Sequence, residues 1–174
     1  TAAYLDSFDL HGNKATNTRL GLTLTRDGEK RLIRAEPTNT VNGSQKMECV
    51  YDWQGRRVRR VGYQYGTNWT VLSDLNYAWD GWNMIAEVKT APSGVYTNYQ
   101  TWGLDLSGTL QGAGGIGGLL YASRHGAIWA NLFYCADGNG NIGQLVHTNS
   151  SIWAKYEYDP YGNLLVYSGT SAAY

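Results

Sequence analysis

The chain has little of what most function classes need. Its 174 residues hold two cysteines, two methionines, three histidines and three prolines. No Cys/His pair has zinc spacing, and a single turn carboxylate falls short of the six to eight oxygens calcium takes, so no metal and no cofactor are expected. Cys49 and Cys135 stand 86 residues apart. They could form one disulfide in an oxidising compartment, or be two small buried apolar residues. Lys plus Arg number 14 and Asp plus Glu 14, for a net charge of zero. That balance argues against a general nucleic-acid or membrane-surface role. No apolar run approaches the roughly 20 residues of a membrane span, and nothing resembles a signal peptide. The chain opens Thr1-Ala2-Ala3-Tyr4 without an initiator methionine, as a processed product or a piece of something longer would. Apolar residues nowhere hold a helical period over three turns with caps.

What is abundant is turn and half-buried strand chemistry. There are 14 Tyr, 7 Trp and 22 Gly, and 43% of residues are apolar, so disorder is excluded. Tyrosine and tryptophan suit strands with one dry and one wet side. Aspartate opens a short polar turn seven times. Five copies read Asp-x-x-Gly: Asp9–Gly12, Asp52–Gly55, Asp105–Gly108, Asp137–Gly140 and Asp159–Gly162. Two variants move the glycine forward, at Asp27-Gly28 and Asp80-Gly81. Successive aspartates lie 18, 25, 28, 25, 32 and 22 residues apart. Such a period denotes one supersecondary unit used repeatedly. Aspartate favours the first position of a type I turn and glycine the fourth, so each unit reads strand, turn, strand.

Period-two alternation supports this. Leu20, Leu22 and Leu24 alternate with Gly21, Thr23 and Thr25; Met47, Cys49, Tyr51 and Trp53 with Glu48, Val50 and Asp52. Ile152, Ala154, Tyr156 and Tyr158 do the same. These are half-buried antiparallel strands. Residues 37–44, 66–70, 91–97 and 147–151 read as polar connectors within one array. The chain is therefore expected to be one all-β domain, 1–174, of about seven stacked antiparallel hairpins in a twisted, spiralling, solenoid- or shell-like sheet.

The stretches Tyr51–Val58, Tyr77–Glu87, Thr101–Leu120, Asp137–Ile142 and Tyr156–Leu165 resemble the YD repeats of the rearrangement-hotspot (RHS) family, over nearly the whole chain. The resemblance implies a long sheet of stacked hairpins spiralling into a hollow shell. In bacterial toxins of this type the shell encloses a C-terminal toxin. Related YD modules occur on cell surfaces and have been linked with carbohydrate. Family cores continue past the Asp-Pro-Tyr-Gly-Asn unit to a self-cleaving site, which this chain does not include. Asp159-Pro160 matches the repeat turn, not the cleavage motif.

Candidate chemistry is thin. Gly112–Gly117 satisfies G-x-G-x-x-G with Asp137 20 residues beyond Gly117, but five glycines in seven residues start a helix poorly. A tight glycine turn is the better reading. Ser123, His125 and Asp105 make a triad only on paper, without a nucleophile elbow. Arg56, Arg57, Arg59 and Arg60 are expected to stack on tyrosines or pair with acids across strands. Sequons lie at Asn42, Asn68 and Asn149. Trp69, Trp82 and Trp153 are candidate sugar-stacking residues. The expectation is a non-catalytic structural β-repeat protein, secreted or at a cell surface, with no nucleic acid and no membrane insertion. Its partners would be neighbouring YD repeats or itself, head to tail through edges near Tyr4–Leu10 and Leu164–Tyr174. The ends are poor in charge and proline, and such edges template filaments. The rivals are a carbohydrate-binding surface module, gripping glycans, and a shell fragment of a polymorphic toxin.

Overall fold

The computed structural model describes residues 6–126 and 129–169. Among these there is no helix, and thirteen strands carry the fold. They are β1 (Thr16–Asn17), β2 (Leu22–Arg26), β3 (Leu32–Pro37), β4 (Gln45–Tyr51), β5 (Arg57–Tyr65), β6 (Trp69–Asp80), β7 (Asn83–Ala91), β8 (Gly94–Trp102), β9 (Leu119–His125), β10 (Ala130–Ala136), β11 (Ile142–His147), β12 (Ile152–Tyr158) and β13 (Leu164–Ser168). Strand order equals sequence order. The chain is thus an all-β stack of antiparallel hairpins. The alternation around Met47 and Ile152 becomes β4 and β12. Leu20 departs from its pattern: it lies in the turn before β2, because Gly21 takes φ 62° and breaks the strand there. The outer parts of the edges expected at Tyr4–Leu10 and Leu164–Tyr174 lie outside the described residues.

The chain divides into two compact units. One takes in the described residues up to Tyr77 and Val88–Val95; the other takes in Ala78–Glu87 and the described residues from Tyr96 onward.

In the first unit β4 and β5 pair over seven positions, from Gln45↔Gln64 to Tyr51↔Arg57. Cys49, Val61 and Leu75 are its buried apolar side chains. Cross-strand polar pairs do much of the rest. Arg59 and Asp74 meet at 2.6 Å, and Arg34 reaches Glu48 at 3.2 Å. The Tyr51 hydroxyl donates to the Leu32 carbonyl at 2.9 Å. Exposed cross-strand pairs of this kind contribute roughly 0.2–1 kcal/mol each, and a sheet accumulates them.

In the second unit the registers Ala122↔Leu132, Tyr134↔Leu145 and Leu145↔Ala154 put small and large apolar residues on one face. Ala130, Leu132, Leu145 and Ala154 are buried there, with Tyr134, Ile142, Trp153 and Tyr156 packed around them. At the last described edge, β13 is exposed at all five positions while pairing with β12.

Candidate functional site: aspartate turns and a glycine-rich clasp

The five turns at Asp9, Asp27, Asp52, Asp137 and Asp159 share one geometry. The aspartate N–H donates to the carbonyl four residues on, and its carbonyl accepts the N–H three residues on, at 2.8–3.0 Å. One carboxylate oxygen accepts the N–H groups two and four residues on, at 2.8–3.0 Å. The fifth residue closes the ring on the second oxygen: Asn13 at 3.0 Å, Arg31 at 2.7 Å, Arg56 at 2.7 Å, Asn141 at 3.0 Å and Asn163 at 2.7 Å. This is a type I turn followed by a bulge, and the fourth residue must take positive φ. Gly12, Gly55, Gly140 and Gly162 sit at φ 77–83°. In the Asp27 turn the glycine has moved away from that position, and Lys30 carries φ 66° instead.

These bonds hold the carboxyls below their ordinary range. At Asp9, Asp137 and Asp159 the amide of the fifth-position asparagine is the leading cause, and backbone N–H groups add to it. At Asp27 and Asp52 burial pushes the carboxyl up, and the bonds from Arg31 and Arg56 outweigh it.

An eighth turn has the same backbone without an aspartate. His147 N–H donates to Ser151 O at 2.9 Å, and Ser150 N–H donates to His147 O at 2.8 Å. Ser150 takes φ 68°. The carboxylate's place is filled by imidazole Nδ1, which accepts the Asn149 N–H at 3.2 Å. The motif Asp-x-x-Gly cannot find this copy, since it lacks both named residues. Spacing does not mark it either, since the 22 residues from Asp137 to Asp159 fall within the range of the series.

Asp80 does not make the five-residue turn. It ends β6, and the two-residue corner Gly81-Trp82 is held from outside. Gln111 donates from Nε2 to Asp80 O at 2.8 Å and accepts the Trp82 N–H on Oε1 at 2.9 Å. Gln111 belongs to a glycine-rich loop that Asp105 organises. Asp105 is buried. One of its oxygens accepts Ser107 N–H at 2.9 Å and the Ser107 hydroxyl at 2.6 Å. The other accepts Ala113 N–H at 2.6 Å and Gly115 N–H at 3.1 Å. The Ser107 hydroxyl leads in pulling this carboxyl down to about 2, and the Ala113, Ser107 and Gly115 amides reinforce it against burial. The loop is pinned further by buried Asn83, donating to Leu110 O at 3.3 Å. Beside it, Trp102 Nε1 on β8 donates to Met84 O on β7 at 2.7 Å. A Cβ on Gly115 would run into Asn83 and Trp102.

This accounts for G-x-G-x-x-G. A dinucleotide loop aims free amides at a pyrophosphate at the start of a helix. Here no helix follows, and the Ala113 and Gly115 amides already serve the Asp105 carboxylate. The anion of this nest is part of the chain.

The other candidates fall apart in space or are engaged locally. Ser123 Oγ lies 2.8 Å from His125 Nε2 and donates to Asn131 Oδ1 at 2.9 Å. Asp105 spends both oxygens on its own loop. Trp69 packs edge-on against Tyr65 with the Lys46 ammonium 5.1 Å from its ring centre. Trp153 stacks on His147 at 4.8 Å. Trp82 is 58% exposed, as are Trp53 at 86% and Trp129 at 69%. Asn42, Asn68 and Asn149 are all exposed. Cys49 is buried and Cys135 exposed, both as free thiols. Arg56 pairs with Asp52 at 2.7 Å and Arg59 with Asp74. A cleft of about 510 Å³ is lined by Asp27, Arg31, Arg34, Glu48, Cys49 and Tyr51 among others. Its two arginines are matched by Asp27 and Glu48.

No family model and no curated protein matches the chain. Solved structures do. The TcdB2-TccC3-TEV crystal structure matches with a TM-score of 0.63 and 14% identity, over 95% of this chain and 8% of that one. A TccC3-mutant Tc holotoxin pore from Photorhabdus luminescens matches with the same TM-score, identity and coverage. TcdB2-TccC3 without its hypervariable C-terminal region matches with a TM-score of 0.59 and 15% identity, over 89% and 7%. The chain therefore spans under a tenth of the length of the structures it resembles. What it shares with them is an RHS-like β fold.

Proposed function

We propose that this chain is a non-catalytic structural segment of a larger RHS/YD-type β-shell of a toxin complex. The observation that carries the reading is the match of 95% of the chain to 8% of a Tc toxin chain. Two features agree. The side chains of β13 are exposed along its whole length, and Leu164, Leu165, Val166 and Tyr167 bring no charge to that edge. An ordered, uncharged edge is a template for a further strand. The turns consume their own carboxylates, as scaffolding corners do.

The same edge also suits a second copy, head to tail, and that gives the rival fibre. Cryo-electron microscopy of the product of the complete reading frame separates the two. The expected image is a closed β-shell in which β13 is followed by a further paired strand. A reading frame without additional YD repeats, or filaments grown by this chain alone at micromolar concentration, would overturn the shell.

A further inference from the structure

One hairpin differs from the rest in the chemistry of its corner. We infer that the His147 turn between β11 and β12 is an acid-released joint, set among aspartate turns that stay closed on mild acidification.

The geometry requires an acceptor at the first position of each turn. A carboxylate held below its ordinary range remains that acceptor in mild acid, and Asp137 and Asp159, the neighbouring turns on either side, are of this kind. Imidazole Nδ1 accepts only while it carries no proton. Once protonated, Nδ1–H faces the Asn149 N–H, and two donors meet where a hydrogen bond stood. The turn then loses the one bond that its first side chain supplies, beside Trp153, on which the ring lies at 4.8 Å with planes 15° apart.

The corner also keeps its two backbone bonds, and Thr148 N–H donates to Asn131 O at 3.1 Å. Ser150 must keep φ 68° without being glycine, a conformation that L-residues avoid. The fifth residue, Ser151, gives its N–H and hydroxyl to Asn149 Oδ1 at 3.0 and 2.6 Å, so it does not brace the ring as Asn141 and Asn163 brace their aspartates. The partners of His147 from its own turn are Asn149, Ser150 and Ser151. β10 presents Leu132 opposite it, and β12 presents Trp153. Among the described residues, no Asp, Glu, Lys or Arg forms an ion pair or hydrogen bond with its ring. Histidine is also the side chain whose ordinary charge change falls nearest neutrality.

The test is nitrogen-15 NMR of this chain through an acid titration, with amide hydrogen exchange read at Asn149, Asn139 and Tyr161. Before acid, the imidazole shifts should report Nε2–H with Nδ1 bare. As the ring protonates, exchange at Asn149 should quicken several-fold, while Asn139 and Tyr161, the matching amides of the Asp137 and Asp159 turns, stay protected. His147→Asp installs the common acceptor and should move the quickening down into the carboxylate range. An Nδ1–H tautomer at neutral pH would overturn the proposal. So would Asn149 exchange that ignores ring protonation, or an H147D chain that opens at the same pH as the parent. The inference does not depend on the shell reading, since the joint works in a free chain or in a longer one.

Discussion

At the scale of single residues, each five-residue corner is decided by two demands: an acceptor in first place and a left-handed backbone in fourth. Lys30 meets the second at a cost. Its φ of 66° is one that a Cβ disfavours, and glycine removes the conflict while giving the unfolded chain more freedom to lose. Lys30→Gly should therefore stabilise the chain by about 0.5–1 kcal/mol, the strain relieved less the entropy added. Urea denaturation measures it, and a lower midpoint would count against the strain argument. Asp105 carries a pH dependence with a definite sign. Its carboxyl sits at about 2 in the folded chain against an ordinary 3.8. The folded state binds that proton less tightly than the unfolded chain does. The stabilisation is thus whole above pH ~4 and is lost as pH falls through ~2. The other depressed turn aspartates act in the same direction, so the comparison must be with Asp105→Asn. That variant should be the less stable at pH 5, with the gap narrowing toward pH 2. A gap constant from pH 5 to 2 would mean that the charge contributes nothing.

At the scale of elements, what can be read from sequence follows the range of the contacts. A turn such as Asp159–Asn163 is closed within five consecutive residues, so its residues announce it. Alternation announces β4 and β12 for the same reason. The His147 turn hides because the letters differ while the geometry is kept. The β6–β7 corner hides for another reason. Its clamp, Gln111, acts 29–31 residues away and nothing local marks it. The second oxygen of Asp105 likewise finds its amides eight and ten residues on. Loop and corner are one assembly, and Gln111→Ala should loosen both. Loss of its two bonds, with the Asp80 carbonyl and Trp82 N–H released, is expected to cost about 1–3 kcal/mol. Faster amide exchange should appear at Trp82. Unchanged exchange there would show that the two-residue corner stands unaided.

At the scale of the whole molecule, burial is scarce and unevenly spread. Ala130, Leu132, Leu145 and Ala154 form a buried cluster in the second unit, and Leu132 is its largest fully buried side chain. Leu132→Ala should cost about 2–5 kcal/mol, a large part of what a small domain has to spend. Guanidinium denaturation should show it, and a shift under 1 kcal/mol would mean that the sheet is held by its ladders and not by this cluster. Polar cross-strand pairs such as Arg59 with Asp74 add to it. The turns that close within five residues have a consequence for heredity. Each fixes its own bulge, and with it the register of the two strands it joins, from inside five residues. Recombination between two turn-coding stretches, such as those of Asp52 and Asp159, would join the strand entering one to the strand leaving the other and keep the phase of both. Gene length can then drift by whole hairpins, and every surviving strand still shows the same side chains to the same side.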